Sequence, residues 1–169
     1  MNLERPGEMA PAESPRPAIR NELEATHAAF HQLLTSLSSA DWRQKSADPA
    51  WTVGEQLSQI VDEVAAAPRT IESARRGQGV RPQPGMSRAV NARIARTMAR
   101  NATPDSLGAR YDQAHTALLA LLDSIGDEEW AQGAQFFGVD ETVASLFHQI
   151  AGQFQVRATR IQQGLGQHP

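Results

Sequence analysis

The sequence predicts an all-α protein, most simply an up-down antiparallel bundle of four long helices with a shorter helix in a crossover. Two observations predict this class. Apolar residues recur at intervals of three and four through five segments, which is the period of an amphipathic helix. Strand-like alternation is not sustained anywhere in the 169 residues. That length is enough for one domain with a sizeable core.

The first two predicted helices carry apolar stripes, and the second also carries a cap. The first covers residues 17–38. The second begins at Thr52, and Glu55 stands three residues later. This spacing is typical of a capping box, in which the two side chains satisfy free backbone N–H groups. Pro68 removes one donor from this helix, so we expect a kink or a restart there.

The remaining helices follow a loop at residues 75–85, which its glycines and prolines predict. The third covers residues 86–100, with apolar residues four apart. Thr103 is a good N-cap for the fourth helix. Residues 126–141 are predicted to be irregular, with a short turn at most. The last helix covers residues 141–163.

The segment before the first helix has a different composition. Residues 1–16 are rich in proline, glutamate and small side chains. Such a segment cannot bury enough apolar surface to order itself, so we predict a disordered tail. Residues 17–165 are predicted to form the helical domain.

Composition narrows the classes of function. The formal net charge is -3, so there is no global positive field for nucleic acid, and we expect no such partner. The chain has no cysteine, which excludes disulfides, thiolate nucleophiles and sulfur-rich zinc sites. No apolar run approaches the length of about 20 residues that a membrane span needs, and the first residues lack the apolar core of a signal peptide. We therefore expect a cytoplasmic protein with no membrane contact.

Three segments in a fixed order resemble one known family. Trp51 and the capped helix after it resemble the signature W-[ST]-x-x-E-x-x-x-H-[LIV] of the DinB-like, or YfiT-like, metal-dependent hydrolases. Residues 90–125 resemble the middle region of that family. Residues 143–161 resemble its last helix, where the pattern H-x-x-x-H-x-x-x-H-R-G-Q-I is common. Mycothiol-dependent maleylpyruvate isomerases are relatives, and thiol-dependent transferases share the fold.

The resemblance implies a DinB-like up-down bundle with a short extra crossover helix, often dimeric, that holds one divalent metal with three histidines. One histidine comes from the second helix and two, four apart, from the last, because residues four apart share a helix face. The matching positions here are Gln59, Gly152 and Val156, and none is a histidine. Of the broader pattern, His148 and Arg157 remain. We therefore predict a compact pocket of Gln59, Gly152 and Val156, with His148 nearby, that holds no metal and has no catalytic residue.

The other histidines have structural and functional interpretations. His27 and His31 are four apart on the first helix, a spacing that can hold Zn²⁺ or Ni²⁺. The sequence offers them no third ligand nearby, which favours one partly buried and one surface histidine. His115 falls on the inner stripe of the fourth helix, which favours a hydrogen-bonded core residue. For His148, a structural role is favoured over catalysis.

Other polar residues are weaker candidates. Asp62 and Glu63 are possible general bases, although a charged pair on a helix flank is typically solvated. Gln149 and Gln153 add amides beside the family's metal position. Amides do not titrate, so they suit binding better than acid–base chemistry.

Two hypotheses for function remain. The favoured one is a non-catalytic bundle without the family metal, which binds a small molecule between its helices or acts as an interaction module. It needs no cofactor, and the resemblance implies a homodimer. The alternative is an active hydrolase, or a thiol-dependent S-transferase or isomerase, that holds Ni²⁺ or Zn²⁺ with displaced ligands such as His27, His31 or His148.

Overall fold

The computed structural model describes residues 13–80 and 88–166, and most of these residues are helical. The predicted all-α class is confirmed. The helices are α1 (Arg16–Ser36), α2 (Val53–Arg75), α3 (Arg88–Ala99), α4 (Pro104–Ser124) and α5 (Val143–Gly166). A short antiparallel hairpin of β1 (Gly133–Phe136) and β2 (Val139–Thr142) precedes α5.

The helix starts follow from the predicted caps. The backbone N–H of Glu55 donates to Thr52 Oγ1 over 3.2 Å, and the N–H of Thr52 donates to Glu55 Oε2 over 2.8 Å. Thr103 forms the same reciprocal pair with Ser106 at the start of α4. Pro68 lies inside α2, which runs on to Arg75 without a restart. Both caps are therefore confirmed, and packing of α2 outweighs the lost donor at Pro68.

The four long helices form a ring in the order α1, α4, α2, α5, so that α1 and α2 are diagonal to each other. Each contributes one apolar stripe to a shared core. The core is made mostly of aliphatic side chains, as the low aromatic content implies. Its largest fully buried members include Tyr111, Phe30, Phe147, Leu57, Ile60, Ile71, Leu107 and Leu118.

Helix α3 leaves two apolar residues of its predicted stripe exposed. Ile94 and Met98 are more than half exposed, while Ala99 is buried. Polar contacts near its end tie α3 to the start of α2. The guanidinium of Arg96 lies 5.0 Å from the centre of the Trp51 ring and donates to the carbonyl of Ala50 over 2.7 Å. The helix therefore lies beside the bundle and is not one of its core elements.

The hairpin corrects the expectation that residues 126–141 are irregular. Phe136 pairs with Val139 across a two-residue turn. Both turn residues, Phe137 and Gly138, have positive φ, at 51° and 88°. This is the geometry of hairpin turns that match the twist of the strands. Each strand has only four residues, which is too short for alternation to be visible in the sequence.

The end of the loop after α2 holds this hairpin in place. The N–H of Val80 donates to the carbonyl of Gln135 over 3.1 Å, and the N–H of Phe137 donates to the carbonyl of Val80 over 2.9 Å. A Cβ on Gly79 would lie 2.1 Å from the oxygen of Gln135, so only glycine allows this approach. The hairpin tip is thereby fixed near α2 and α5.

The start of the folded domain differs slightly from the predicted boundary. Arg16 begins α1, donates to the carbonyl of Ile125 and lies 5.8 Å from the centre of the Trp130 ring. Arg16 therefore belongs to the domain. Residues 1–12 of the predicted tail lie outside the described residues. Among the described helices, none combines the length and apolar character that crossing a bilayer requires.

Candidate functional site

A groove of about 320 Å³ lies between α2 and α5. Its walls are mainly apolar, because both helices turn part of their inner stripes towards it. The hairpin tip contributes one aromatic side chain. The apolar lining consists chiefly of Ile60, Val64, Ala67, Ile71, Leu146, Ile150, Phe154 and Phe137.

Phe137 lines this groove from an unusual backbone position. Its φ of 51° lies in the left-handed region, which costs a residue with a Cβ about 1–2 kcal/mol. Asparagine or glycine is the usual choice at this position of a hairpin turn. The side chain nevertheless remains 67% exposed. The fold therefore holds a large apolar side chain at the mouth of the groove, where it buries little surface of its own.

The groove continues into a shallower depression of about 340 Å³. Glu63, Gln149 and Gln153 line both concavities, so the two are contiguous. The depression is also lined by Gly152, Val156, Arg157 and Arg160. The apolar groove therefore ends in a polar region with amide, carboxylate and guanidinium groups.

Arg157 donates three side-chain hydrogen bonds within this region. Its Nε donates to Glu63 Oε2 over 2.9 Å, its Nη2 donates to the other Glu63 oxygen, and its Nη1 donates to Gln56 Oε1 over 3.0 Å. Gln56 is fully buried, and its amide donates in turn to Ser46 Oγ over 3.4 Å. Such a two-point pair fixes the plane of the guanidinium. Glu63 is thus paired, in contrast to the predicted solvated flank.

The three positions that match the family's metal ligands do not form a compact pocket. Gly152 and Val156 are exposed on α5 and line the open depression. Gln59 is half-buried on α2 and is not among the described residues that line it. A glycine, a valine and a neutral amide do not fit a metal that three histidines would hold. The loss of that metal stays a prediction.

His148 lies on the same helix but faces α1. Its Nδ1 is 2.7 Å from Glu22 Oε2, a contact between α5 and α1. His148 is not among the described residues that line the groove or the depression. The predicted proximity of His148 to a pocket is therefore not seen, and its contact agrees with a structural role.

A second polar cluster lies on the opposite side of the ring, between α1 and α4. His27 Nε2 and His31 Nε2 each lie 2.7 Å from the same oxygen of Asp112, Oδ1. Since a carboxylate only accepts, both imidazoles donate from Nε2. The bond from His27, with a smaller contribution from His31, holds the pKa of Asp112 below its usual value. Asp112 supplies the third group that the sequence did not offer to this histidine pair.

His115 joins this cluster by stacking. Its ring centre lies 4.4 Å from that of His27, with 21° between the planes. It is half-buried, and this burial lowers its pKa, as does the charge of His27 to a smaller extent. His115 therefore lies at the edge of the contact between α1 and α4, and not in the core as expected.

The sequence matches one described family over most of its length. A family model of the mycothiol maleylpyruvate isomerase N-terminal domain matches residues 23–150. No curated protein matches it significantly. The family is therefore that of the maleylpyruvate isomerases, which were expected from the sequence as relatives of the DinB-like hydrolases.

Solved structures with this fold include two of an isomerase and one of a protein bound to DNA. The mycothiol-dependent maleylpyruvate isomerase gives a TM-score of 0.70 at 11% identity, and a mutant of it gives 0.69 at 12% identity. Each comparison covers 88% of this chain but only 61% of the isomerase chain. The colibactin self-resistance protein ClbS, solved in complex with a dsDNA, gives 0.65 at 13% identity and covers 91% of this chain and 97% of its own. Identities this low show the fold alone.

The ClbS complex corrects one expectation about partners. The prediction that excludes nucleic acid rested on a formal net charge of -3. A protein of the same fold has been solved with dsDNA. Overall charge therefore does not exclude a nucleic-acid partner for this fold, and the prediction is wrong. The expected homodimer stays a prediction.

The family model and the two isomerase structures agree with each other, and the family model covers well over half of the chain. The chain belongs to the family of the mycothiol maleylpyruvate isomerase N-terminal domain.

Proposed function

We propose that this chain is a binding protein whose groove between α2 and α5 takes a small amphipathic molecule with an apolar body and an anionic head. The observation that carries the proposal is Phe137, held at φ 51° at the mouth of an apolar groove. Residues held in strained backbone conformations cluster at functional sites such as ligand clamps. The volume of about 320 Å³ is near the lower end of small-molecule pockets, which span about 300–1,000 Å³.

The polar end of the groove suits an anionic head. Arg157 and Arg160 line the depression together with one carboxylate, that of Glu63. Since Glu63 is bonded to Arg157, one positive charge is left over in this set. The amides of Gln149 and Gln153 can donate further hydrogen bonds. A carboxylate, sulfonate or phosphate would be recognised by these groups, without the metal that the family resemblance implies.

Filling the groove tests this proposal. The probe is 8-anilinonaphthalene-1-sulfonate, which has an apolar aromatic body and a sulfonate head. Ala67 lines the groove, so Ala67→Phe should occupy part of its volume. We expect the probe to bind at least about tenfold more weakly to this variant, which corresponds to about 1.4 kcal/mol. The measurement is a fluorescence titration of the full chain.

The matched control is Ala65→Phe. Ala65 lies on the same helix, is exposed, and is not among the described residues that line the groove. The two variants share the same change in helix propensity, so they differ in location. Equal affinity for the probe in both variants, with unchanged unfolding midpoints, would place the probe elsewhere and contradict the proposal.

A second candidate is thiol-dependent isomerisation, favoured by the family match over residues 23–150. This chain spans 61% of the length of the solved isomerases. Because Gln59, Gly152 and Val156 offer poor metal ligands, we expect no turnover of maleylpyruvate with mycothiol above the blank, with or without added Zn²⁺. The assay follows the loss of maleylpyruvate absorbance. Turnover that Ala67→Phe abolishes and Ala65→Phe retains would favour this function over simple binding.

A further inference from the structure

We propose that His27, His31 and Asp112 form a divalent-metal site, best suited to Zn²⁺, on the solvent side of the contact between α1 and α4. The inference does not depend on the groove, which lies between α2 and α5. It also uses none of the positions that match the family's three histidines.

The three ligand atoms already converge. The two Nε2 atoms each lie 2.7 Å from Asp112 Oδ1, and all three atoms lie within 4.8 Å of one another. A tetrahedral Zn²⁺ with bonds of about 2.0–2.2 Å separates its ligand atoms by roughly 3.3 Å. Small side-chain rotations are therefore enough to place one ion between them.

The backbone around the cluster is well supported. Phe30 and Tyr111 are buried beneath it and stack with ring centres 4.2 Å apart and 15° between planes. This contact joins α1 to α4 directly under the histidines. Gly108 lies one turn before Asp112, and a Cβ there would be 3.4 Å from His31 Cε1. The His31 imidazole therefore lies close to the backbone of α4. With the buried stack beneath them, the ligands stand on a rigid base.

The stack with His115 limits the motion of another ligand. The rings of His27 and His115 are nearly parallel at 4.4 Å. His115 occupies the position three residues after Asp112 on α4, so it covers His27 from the same helix that carries the carboxylate. The His27 ring is thus held by His115 from the side as well as by the buried stack from below.

The donor set fits the chemistry of Zn²⁺. Two imidazoles and one carboxylate form a common set in zinc sites that keep a fourth position for water. The side chains of His27, His31 and Asp112 are 32%, 37% and 54% exposed, so an ion can enter and one side stays open to solvent. An imidazole binds a metal in its neutral form, here with the proton on Nδ1, so both Nε2 lone pairs face the ion and the Nε2 protons exchange with solvent.

The test is calorimetric titration of ZnCl₂ into the full chain without an affinity tag, after removal of metal with a chelator. We expect one ion per chain. Asp112→Asn and His31→Gln should each weaken binding at least about tenfold. His148→Gln is the control, because His148 pairs with Glu22 on another face and should leave the affinity unchanged. Tetrahedral Co²⁺, recognised by its visible absorption bands, should appear in the wild type and be lost in both ligand variants.

Two results would overturn the site. One is equal affinity for Zn²⁺ in the wild type and in the His31→Gln, Asp112→Asn double variant. The other is a loss of Zn²⁺ affinity in His148→Gln as large as the loss in the ligand variants. The substituted side chains are partly exposed and close in shape to the originals, and unchanged unfolding midpoints confirm that the variants are folded. Binding of the sulfonate probe in the α2–α5 groove should not change in either ligand variant, which separates this test from that of the proposed function.

Discussion

Replacing Phe30 with alanine is expected to lower the free energy of unfolding by about 3–5 kcal/mol. Phe30 is fully buried and stacks on Tyr111, which is itself almost fully buried, at 4.2 Å. The change removes the transfer free energy of the ring and leaves a cavity that the neighbouring helices cannot fill without moving apart. The expected effect is a large part of the total stability of a single domain.

Urea unfolding followed by circular dichroism measures this loss. Phe137→Ala is the control, since it removes the same atoms from a ring that is 67% exposed. We expect that variant to change the free energy of unfolding by less than about 1 kcal/mol. Equal losses in the two variants would contradict the assignment of the Phe30–Tyr111 stack to the core between α1 and α4.

Local signals in the sequence predicted most of the helical framework. The caps at Thr52 and Thr103 depend on residues three positions apart, so the sequence contains all the information that they need. The apolar stripes of the long helices are equally local. The helix that differs, α3, has its stripe at the right spacing, but contacts with the other elements decide whether a stripe is buried.

The candidate sites depend on contacts that the sequence does not reveal. Asp112 meets His27 across 85 positions, and Arg157 meets Glu63 across 94. Spacing in the sequence cannot show that residues so far apart are in contact. That requires the order of the helices around the ring. The histidine pair itself was visible as an i, i+4 motif, and knowledge that α1 adjoins α4 would have directed attention to Asp112.

The groove lies beside positions that the family resemblance indicated, but the resemblance did not indicate what lines it. Glu63, Gln149 and Gln153 join the apolar groove to the surface that carries Gly152 and Val156. Two of the positions for which the resemblance implied metal ligands are therefore next to the proposed ligand site in this chain. Phe137 comes from a hairpin that is too short to be predicted. The proposed binding site thus lies beside positions that the sequence indicated, and the aromatic side chain at its mouth comes from a hairpin that the sequence did not indicate.

Two glycines on α5 should respond in opposite directions to the same substitution. A Cβ on Gly164 would lie 2.6 Å from backbone atoms of Ser46 and 2.7 Å from the carbonyl oxygen of Lys45. A Cβ on Gly152 would meet no atom within 4 Å. Alanine is preferred to glycine inside a helix by about 0.5–1 kcal/mol, so the surroundings decide the net sign at each position.

The loop against Gly164 cannot move aside easily. The N–H of Ala47 donates to the carbonyl of Arg160 over 2.8 Å, and the N–H of Ser46 donates to the carbonyl of Trp51 over 3.0 Å. Any displacement that admits a methyl group would strain these bonds. Forcing extra atoms into a packed contact costs about 1–3 kcal/mol.

We therefore expect Gly164→Ala to destabilise the protein by about 1–3 kcal/mol, because the clash with backbone outweighs the gain in helix propensity. Gly152→Ala should stabilise it by about 0.5–1 kcal/mol, because the propensity gain is unopposed. Urea unfolding of both variants against the wild type measures the two signs under the same conditions. Stabilisation by both would mean that the loop at Ser46 yields, and destabilisation by both would mean that the surface around Gly152 is more crowded than the open depression described above.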